Sequence, residues 1–220
     1  MIMVRIKNTM EIWEPIREDR ENLLNGWSPM VYPVMQYPTY ILDVEEVLAD
    51  LSACYREAFS ATFAEFGIPF DADRLGEYSV TPLDVLFSRY YRGCTCKYRD
   101  FVTKYIGEFD RAFASGFSVR EGVTEAVRKL HADGAKICVV SDLFSGYVDT
   151  ILSEAGIGDC IDIVFAAERM AIGRPDPYCI RTILQETDSD ADSAVLVGTG
   201  ALNEECARRA RIKFARELPA

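Results

Sequence analysis

The sequence predicts an α/β fold: a doubly wound parallel sheet covered by helices on both faces, with a helical cap inserted after its first strand. Three observations carry this reading. A short apolar run, Tyr40-Ile41-Leu42, ends in a carboxylate, Asp43. From Gly122 onward, apolar runs of strand length alternate with helical segments of about ten residues, a spacing that demands crossover connections and parallel strands. Between the two, from Asp50 to about Phe117, apolar residues recur at helical spacing.

Taken in order, residues 1–37 stand apart. Trp13, Trp27, Met30, Tyr32, Met35 and Tyr37 are interleaved with Pro15, Pro29, Pro33 and Pro38. Proline at that density blocks long regular structure, while the aromatics are too many for a solvated tail. The segment is expected to pack as an irregular extension on the core or on a second subunit. The first strand then delivers Asp43, Glu45 and Glu46 to its C-terminal tip, where an open α/β sheet places its chemistry. Tyr55, Ala58, Phe59, Thr62, Phe63 and Phe66 mark a helix ended by Gly67-Ile68-Pro69, and the stripe Phe59, Phe63, Phe66 reads as core packing. Further helices are expected over Pro82–Tyr91 and Asp100–Phe113. Next come a helix over Gly122–His131, a strand over Lys136–Val140 and a helix over Gly146–Ala155 closed by Gly156. A strand over Ile161–Phe165, a helix over Pro177–Glu186, a strand over Ser193–Val197 and a helix over Glu204–Arg211 complete the alternation. The division is therefore an extension (1–37), a core (38–50 and 118–220) and a helical cap (51–117).

Composition narrows the function. The formal net charge of -11 disfavours nucleic acid, which needs a concentrated basic face. The longest apolar runs are strand-sized, so neither a membrane span nor a signal peptide is read, and a cytoplasmic location is expected. Seven scattered cysteines do not form a disulfide framework, Cys138 reads as a small buried hydrophobe, and the close pair Cys94 and Cys96 lacks partners for zinc in a chain with one histidine. That histidine, His131, reads as a helix-end surface residue. Arg89, Arg92, Lys97, Arg99 and Lys104 form a basic patch, either a cationic lid over an acidic floor or a solvated face balanced by Asp100, Glu108 and Asp110.

Four segments, in order, resemble the motifs of the haloacid dehalogenase-like hydrolases, and the likeness spans residues 38–214. In Asp43-Val44-Glu45-Glu46-Val47, Asp43 falls on the nucleophile and Glu45 on the acid/base, while Glu46 stands where the family has glycine. Ser141, in Val139-Val140-Ser141-Asp142, falls on the residue that holds a substrate oxygen together with nearby backbone N–H groups. In Gly173-Arg174-Pro175-Asp176-Pro177, Arg174 stands for the usual lysine, keeping the charge but changing its geometry. In Gly198-Thr199-Gly200-Ala201-Leu202-Asn203, Thr199 and Asn203 stand where the family carries metal-binding acids.

The resemblance implies a Rossmann-like core and an anionic substrate. Asp43 would be both nucleophile and metal ligand, Glu45 and Arg174 would complete the catalytic set, and Ser141 and Asp142 would bind substrate. Magnesium prefers hard, charged oxygens, so with a hydroxyl and an amide at 199 and 203 the implied cofactor is none or a weakly held magnesium ion. Glu46 or Glu204 could supply a substitute carboxylate. Glu45 for Asp shifts the proton donor by about 1 to 1.5 Å, and a misplacement of that size can cost roughly a hundredfold in rate. Three readings stay open: an Asp-nucleophile hydrolase of small phosphate-ester-like anions, metal-independent chemistry such as dehalogenation, and a silent ligand- or protein-binding descendant. The expected partner is a small anionic molecule, with a homodimer as a further option.

Overall fold

The computed structural model describes residues 37–90 and 96–219. The expectation for the N-terminal extension, and those for Arg92 and Cys94, lie outside the described residues. Five parallel strands form the main sheet: β1 (Thr39–Asp43), β4 (Lys136–Val140), β5 (Ile163–Phe165), β6 (Ala194–Val197) and β7 (Lys213–Ala215), in the order β5-β4-β1-β6-β7. All five residues of β1 are buried, as a central parallel strand requires.

Side-chain alternation along the strands divides the core in two. On one face Leu42, Val139 and Val195 pack with Val127 and Leu130 of α5 (Val123–Ala132) and Ile151 of α6 (Ser145–Glu154). On the other, Ile41, Val140 and Leu196 pack with Ile180 and Ile183 of α7 (Tyr178–Glu186) and Ala207 of α8 (Ala201–Ala210). The sheet is therefore covered on both sides, as the alternation predicted. Gly156, at φ +62°, closes α6 in the left-handed region that glycine enters without strain.

The segment between β1 and the cap holds structure that the sequence reading did not assign. Asp43 leads into a π-helical turn, Val44–Leu48, and then into β2 (Ala49–Asp50), which pairs antiparallel with β3 (Ser118–Val119). Only then does α1 (Ser52–Glu65) begin. The helices α2 (Leu75–Val80), α3 (Leu83–Tyr90) and α4 (Tyr98–Ser115) follow, and α2 was not legible because its six residues are too few to show a period. Phe59, Phe63, Tyr78, Leu86 and Phe101 give this layer a core of its own, while Phe66 packs at its edge. β7 also escaped the sequence reading, since three residues, one exposed and two half-buried, carry no alternation.

Lys104 pairs with Glu108 one turn along α4 and with Glu65 of α1, and Arg89 pairs with Glu77 of α2, so these members of the basic patch are matched by carboxylates. His131 is exposed on the last turn of α5, and Cys138 is fully buried. Among the described residues, no helix is long and apolar enough to cross a membrane.

Candidate active site

The chain moves outward from β1 through β4 to β5, then returns to the other side of β1 for β6 and β7. The carboxyl end of β1 is thus the point where strand order reverses, the crevice in which an open sheet receives a ligand. Asp43 is the last residue of β1 and is 1% exposed. Its register partner is Val140, which sets Ser141 one residue beyond, at the same edge.

Each oxygen of Asp43 is engaged. Oδ1 accepts the backbone N–H of Glu46 at 2.7 Å, which caps the π-helical turn. Oδ2 accepts Nδ2–H of Asn203 at 3.0 Å and an ion-paired N–H from Nη1 of Arg174. The same Nη1 donates to Oδ1 of Asn203 at 2.7 Å, and Nη2 donates to the exposed carboxylate of Asp142 at 2.7 Å. Arg174 itself is nearly buried, its side chain 7% exposed, and its Nε has no hydrogen-bond partner in the protein. A buried charge stripped of its partner costs about 3–5 kcal/mol, so Asp43 and Arg174 depend on each other.

Glu45 and Glu46 point to different tasks. The Ser141 hydroxyl donates to Oε2 of Glu45 at 3.0 Å and accepts the N–H of Leu143 at 3.0 Å. Burial first, and then the negative charges of Asp43 and Asp142, push the Glu45 carboxyl up to about 8 against the pull of Arg174. Glu45 therefore carries a proton at neutral pH. Glu46 goes the other way: burial would raise it, but the N–H of Gly200, the Asn203 amide and the N–H of Thr199 together hold it below its ordinary value. Those three donors reach Oε2 at 2.8, 2.8 and 2.5 Å.

Asp43, Glu45, Glu46, Ser141, Asp142, Arg174 and Asn203 meet here and Thr199 enters the network through its backbone, but Glu204 does not: its exposed carboxylate pairs with Arg216 at 2.7 Å. The task of Glu46 was not legible in full. One signal was available in the glycines flanking Thr199: a β-carbon on Gly198 would stand 2.9 Å from Oε2 of Glu46, and one on Gly200 would collide with Oε1. A carboxylate at 46 and two glycines at 198 and 200 thus make one unit. Tyr55 of α1, read from the sequence only as part of a helical pattern, also faces the site. Burial, with Glu45 and Asp43 nearby, pushes its phenol well up. Arg120, after β3, donates to the Glu45 carbonyl at 3.4 Å.

The model for the haloacid dehalogenase-like hydrolase family matches residues 40–216. The chain belongs to this family. A plasmid-encoded phosphoglycolate phosphatase of Cupriavidus necator is 24% identical over 177 residues, covering 78% of this chain and 77% of the relative. Among solved structures, a candidate haloacid dehalogenase-like hydrolase from Bacteroides fragilis superposes with a TM-score of 0.73 at 18% identity, over 81% of this chain and 86% of that one. CbbY from Rhodobacter sphaeroides, solved in complex with phosphate, gives 0.68 at 20% identity, over 81% and 85%. These likenesses establish the Rossmann-like core of the haloacid dehalogenase-like hydrolases for this chain.

The family usually uses magnesium, and the donor set here fits that ion poorly. Both oxygens of Asp43 already accept hydrogen bonds, Asn203 offers a neutral amide whose oxygen is taken by Arg174, and Oε2 of Glu46 is consumed by the 199–203 segment. Among the described residues, no group of three or more His, Cys, Asp or Glu is placed to hold a metal ion.

Proposed function

We propose that this protein is a phosphatase-like hydrolase of small anionic, phosphate-ester-like substrates that uses Asp43 as a covalent nucleophile. The convergence of Asp43, Glu45, Ser141 and Arg174 at the carboxyl end of the central strand carries the reading. Oδ1 of Asp43, with a single hydrogen bond, keeps a lone pair for attack on phosphorus, while Arg174 and Asn203 hold Oδ2. The new O–P bond forms as the bond to the leaving alkoxide breaks. Glu45, protonated at neutral pH, gives its proton to that oxygen, then as a carboxylate takes a proton from the water that hydrolyses the aspartyl phosphate. Ser141 orients Glu45 and, with the backbone that follows it, contacts the transferred group, while Asp142 borders the substrate. Residues 51–117 serve as the cap that excludes water from this exchange. Magnesium contributes weakly or not at all, and no step is assigned to it.

The test is a screen of phosphate monoesters and small halogenated acids, with and without magnesium, beside Asp43→Asn. Turnover lost in the variant, together with a mass adduct trapped on Asp43, supports the reading. Turnover of halogenated acids alone would redirect it to dehalogenation. A silent binding role is the second reading, favoured by the way internal donors engage both oxygens of Asp43. It predicts small anions that raise the melting temperature by mass action and no substrate that turns over.

A further inference from the structure

Arg174 draws together oxygens from three elements that are far apart in sequence. Oδ2 of Asp43 comes from the end of β1, Oδ1 of Asn203 from α8, and Oδ2 of Asp142 from the turn after β4. These three hard oxygens, two of them carboxylate, surround the guanidinium, two on Nη1 and one on Nη2, and with waters filling the remaining positions they are donors that a divalent ion accepts. Here the centre is a guanidinium. It stays charged, because a guanidinium does not give up its proton inside a protein and two carboxylates, those of Asp43 and Asp142, pair with it. Around it the charges of Asp43, Asp142 and Glu46 exceed its own, so neutralising Arg174 would leave an uncompensated anionic pocket. A pocket of that kind must either take up protons or recruit a cation.

We propose that Arg174 is a resident cation that occupies a divalent-ion site by covalent attachment, and that removing its charge opens that site to magnesium or manganese through Asp43, Asn203 and Asp142. The proposal deepens the reading above by naming what stands in for the metal, but its test needs no substrate, so the two can fail separately. Glu46 supports it from the other side. By accepting from Thr199, Gly200 and Asn203, it holds the Asn203 amide with its nitrogen toward the carboxylates and its oxygen toward Arg174.

The experiment compares wild type, Arg174→Met and Arg174→Lys by calorimetric titration with magnesium chloride, manganese electron paramagnetic resonance and thermal unfolding at matched ionic strength. Wild type should show no binding and no ion-specific change in melting temperature. Arg174→Met should melt lower in metal-free buffer and recover about 3–6 °C at tenfold excess of cation over its dissociation constant. Arg174→Lys keeps a charge beside Asp43 on a shorter, single-headed group, and should bind the ions more weakly than the methionine variant but detectably. It is also the informative variant should Arg174→Met fail to fold. Magnesium or manganese bound tightly by wild type, with Arg174 in place, would overturn the proposal. So would a folded Arg174→Met, or failing that a folded Arg174→Lys, with no response to either ion.

Discussion

Replacing Glu45 by Gln should change how stability depends on pH more than it changes stability itself. The folded protein lifts the Glu45 carboxyl from 4.5 to about 8, so between those values the folded state holds a proton that the unfolded chain has released. Stability contributed by a group raised in this way is greatest at acid pH and falls as pH climbs through the window, becoming flat above about 8. Each pKa unit corresponds to about 1.4 kcal/mol, so the full displacement corresponds to up to about 5 kcal/mol. Coupling to Asp43 and Arg174 and partial contact with solvent reduce this to roughly half, about 2–3 kcal/mol. Gln keeps the shape and an oxygen for the Ser141 hydroxyl but cannot ionise. Urea unfolding of wild type and Glu45→Gln should thus give similar free energies near pH 5, and a variant more stable by about 2–3 kcal/mol near pH 9. In melting temperature the gap is about 4–12 °C. Parallel pH profiles would show that Glu45 does not titrate as its surroundings dictate, and the assignment of a neutral acid would go with it.

Glu46→Ala should cost about 1–3 kcal/mol by leaving the N–H groups of Thr199 and Gly200 and the Asn203 amide without their acceptor. Because the folded pKa of Glu46 is lowered, that loss should be full above its ordinary value of 4.5 and shrink as pH falls through the lowered one; an equal loss at neutral and acid pH would contradict the network. Gly200→Ala should cost about 1–3 kcal/mol by driving a methyl group into the Glu46 carboxylate. Combined with Glu46→Ala the two effects should be less than additive, and strict additivity in a double-mutant cycle would refute their contact. Phe63→Ala, in the aromatic centre of the helical layer, should cost about 3–5 kcal/mol in thermal unfolding, and a cost below about 1 kcal/mol would mean that this layer is not packed as described.

The parts of the fold legible in the sequence are those where burial leaves a periodic trace. Lys136–Val140 and Ala194–Val197 read as strands because both of their faces are covered, and the helices α5, α6 and α7 were placed to within a residue or so. Short elements gave no such trace: β2 and β3 are two residues each, and the π-helical turn owes its shape to Asp43 capping the Glu46 N–H, a pairing visible only in three dimensions. The start of α8 was read at Glu204 but lies at Ala201, because Asn203 is polar and yet buried, directed at Asp43 rather than at solvent. At the site, residue identities were legible by motif and partnerships were not. Nothing in the spacing of residues 43, 46, 174 and 203 says that an arginine and an amide share one carboxylate oxygen, or that a glutamate in a glycine position crosses to a loop more than 150 residues away.

The place of β1 in the sheet bears on the order in which the protein can be made. Ile41 is bracketed by Cys138 on one side and Leu196 on the other, so the strand nearest the N-terminal end of the core waits for strands about 100 and 155 residues further on before its hydrogen bonds close. Contacts of such long range are slow to form, and a chain emerging from the ribosome must carry Tyr40, Ile41 and Leu42 unpaired until at least residue 140, and half-paired until residue 197. During that interval the apolar strand is an exposed edge. The acidic run that follows it, Asp43, Glu45 and Glu46, then has a second use as a charged gatekeeper that discourages two nascent chains from pairing through the same strand.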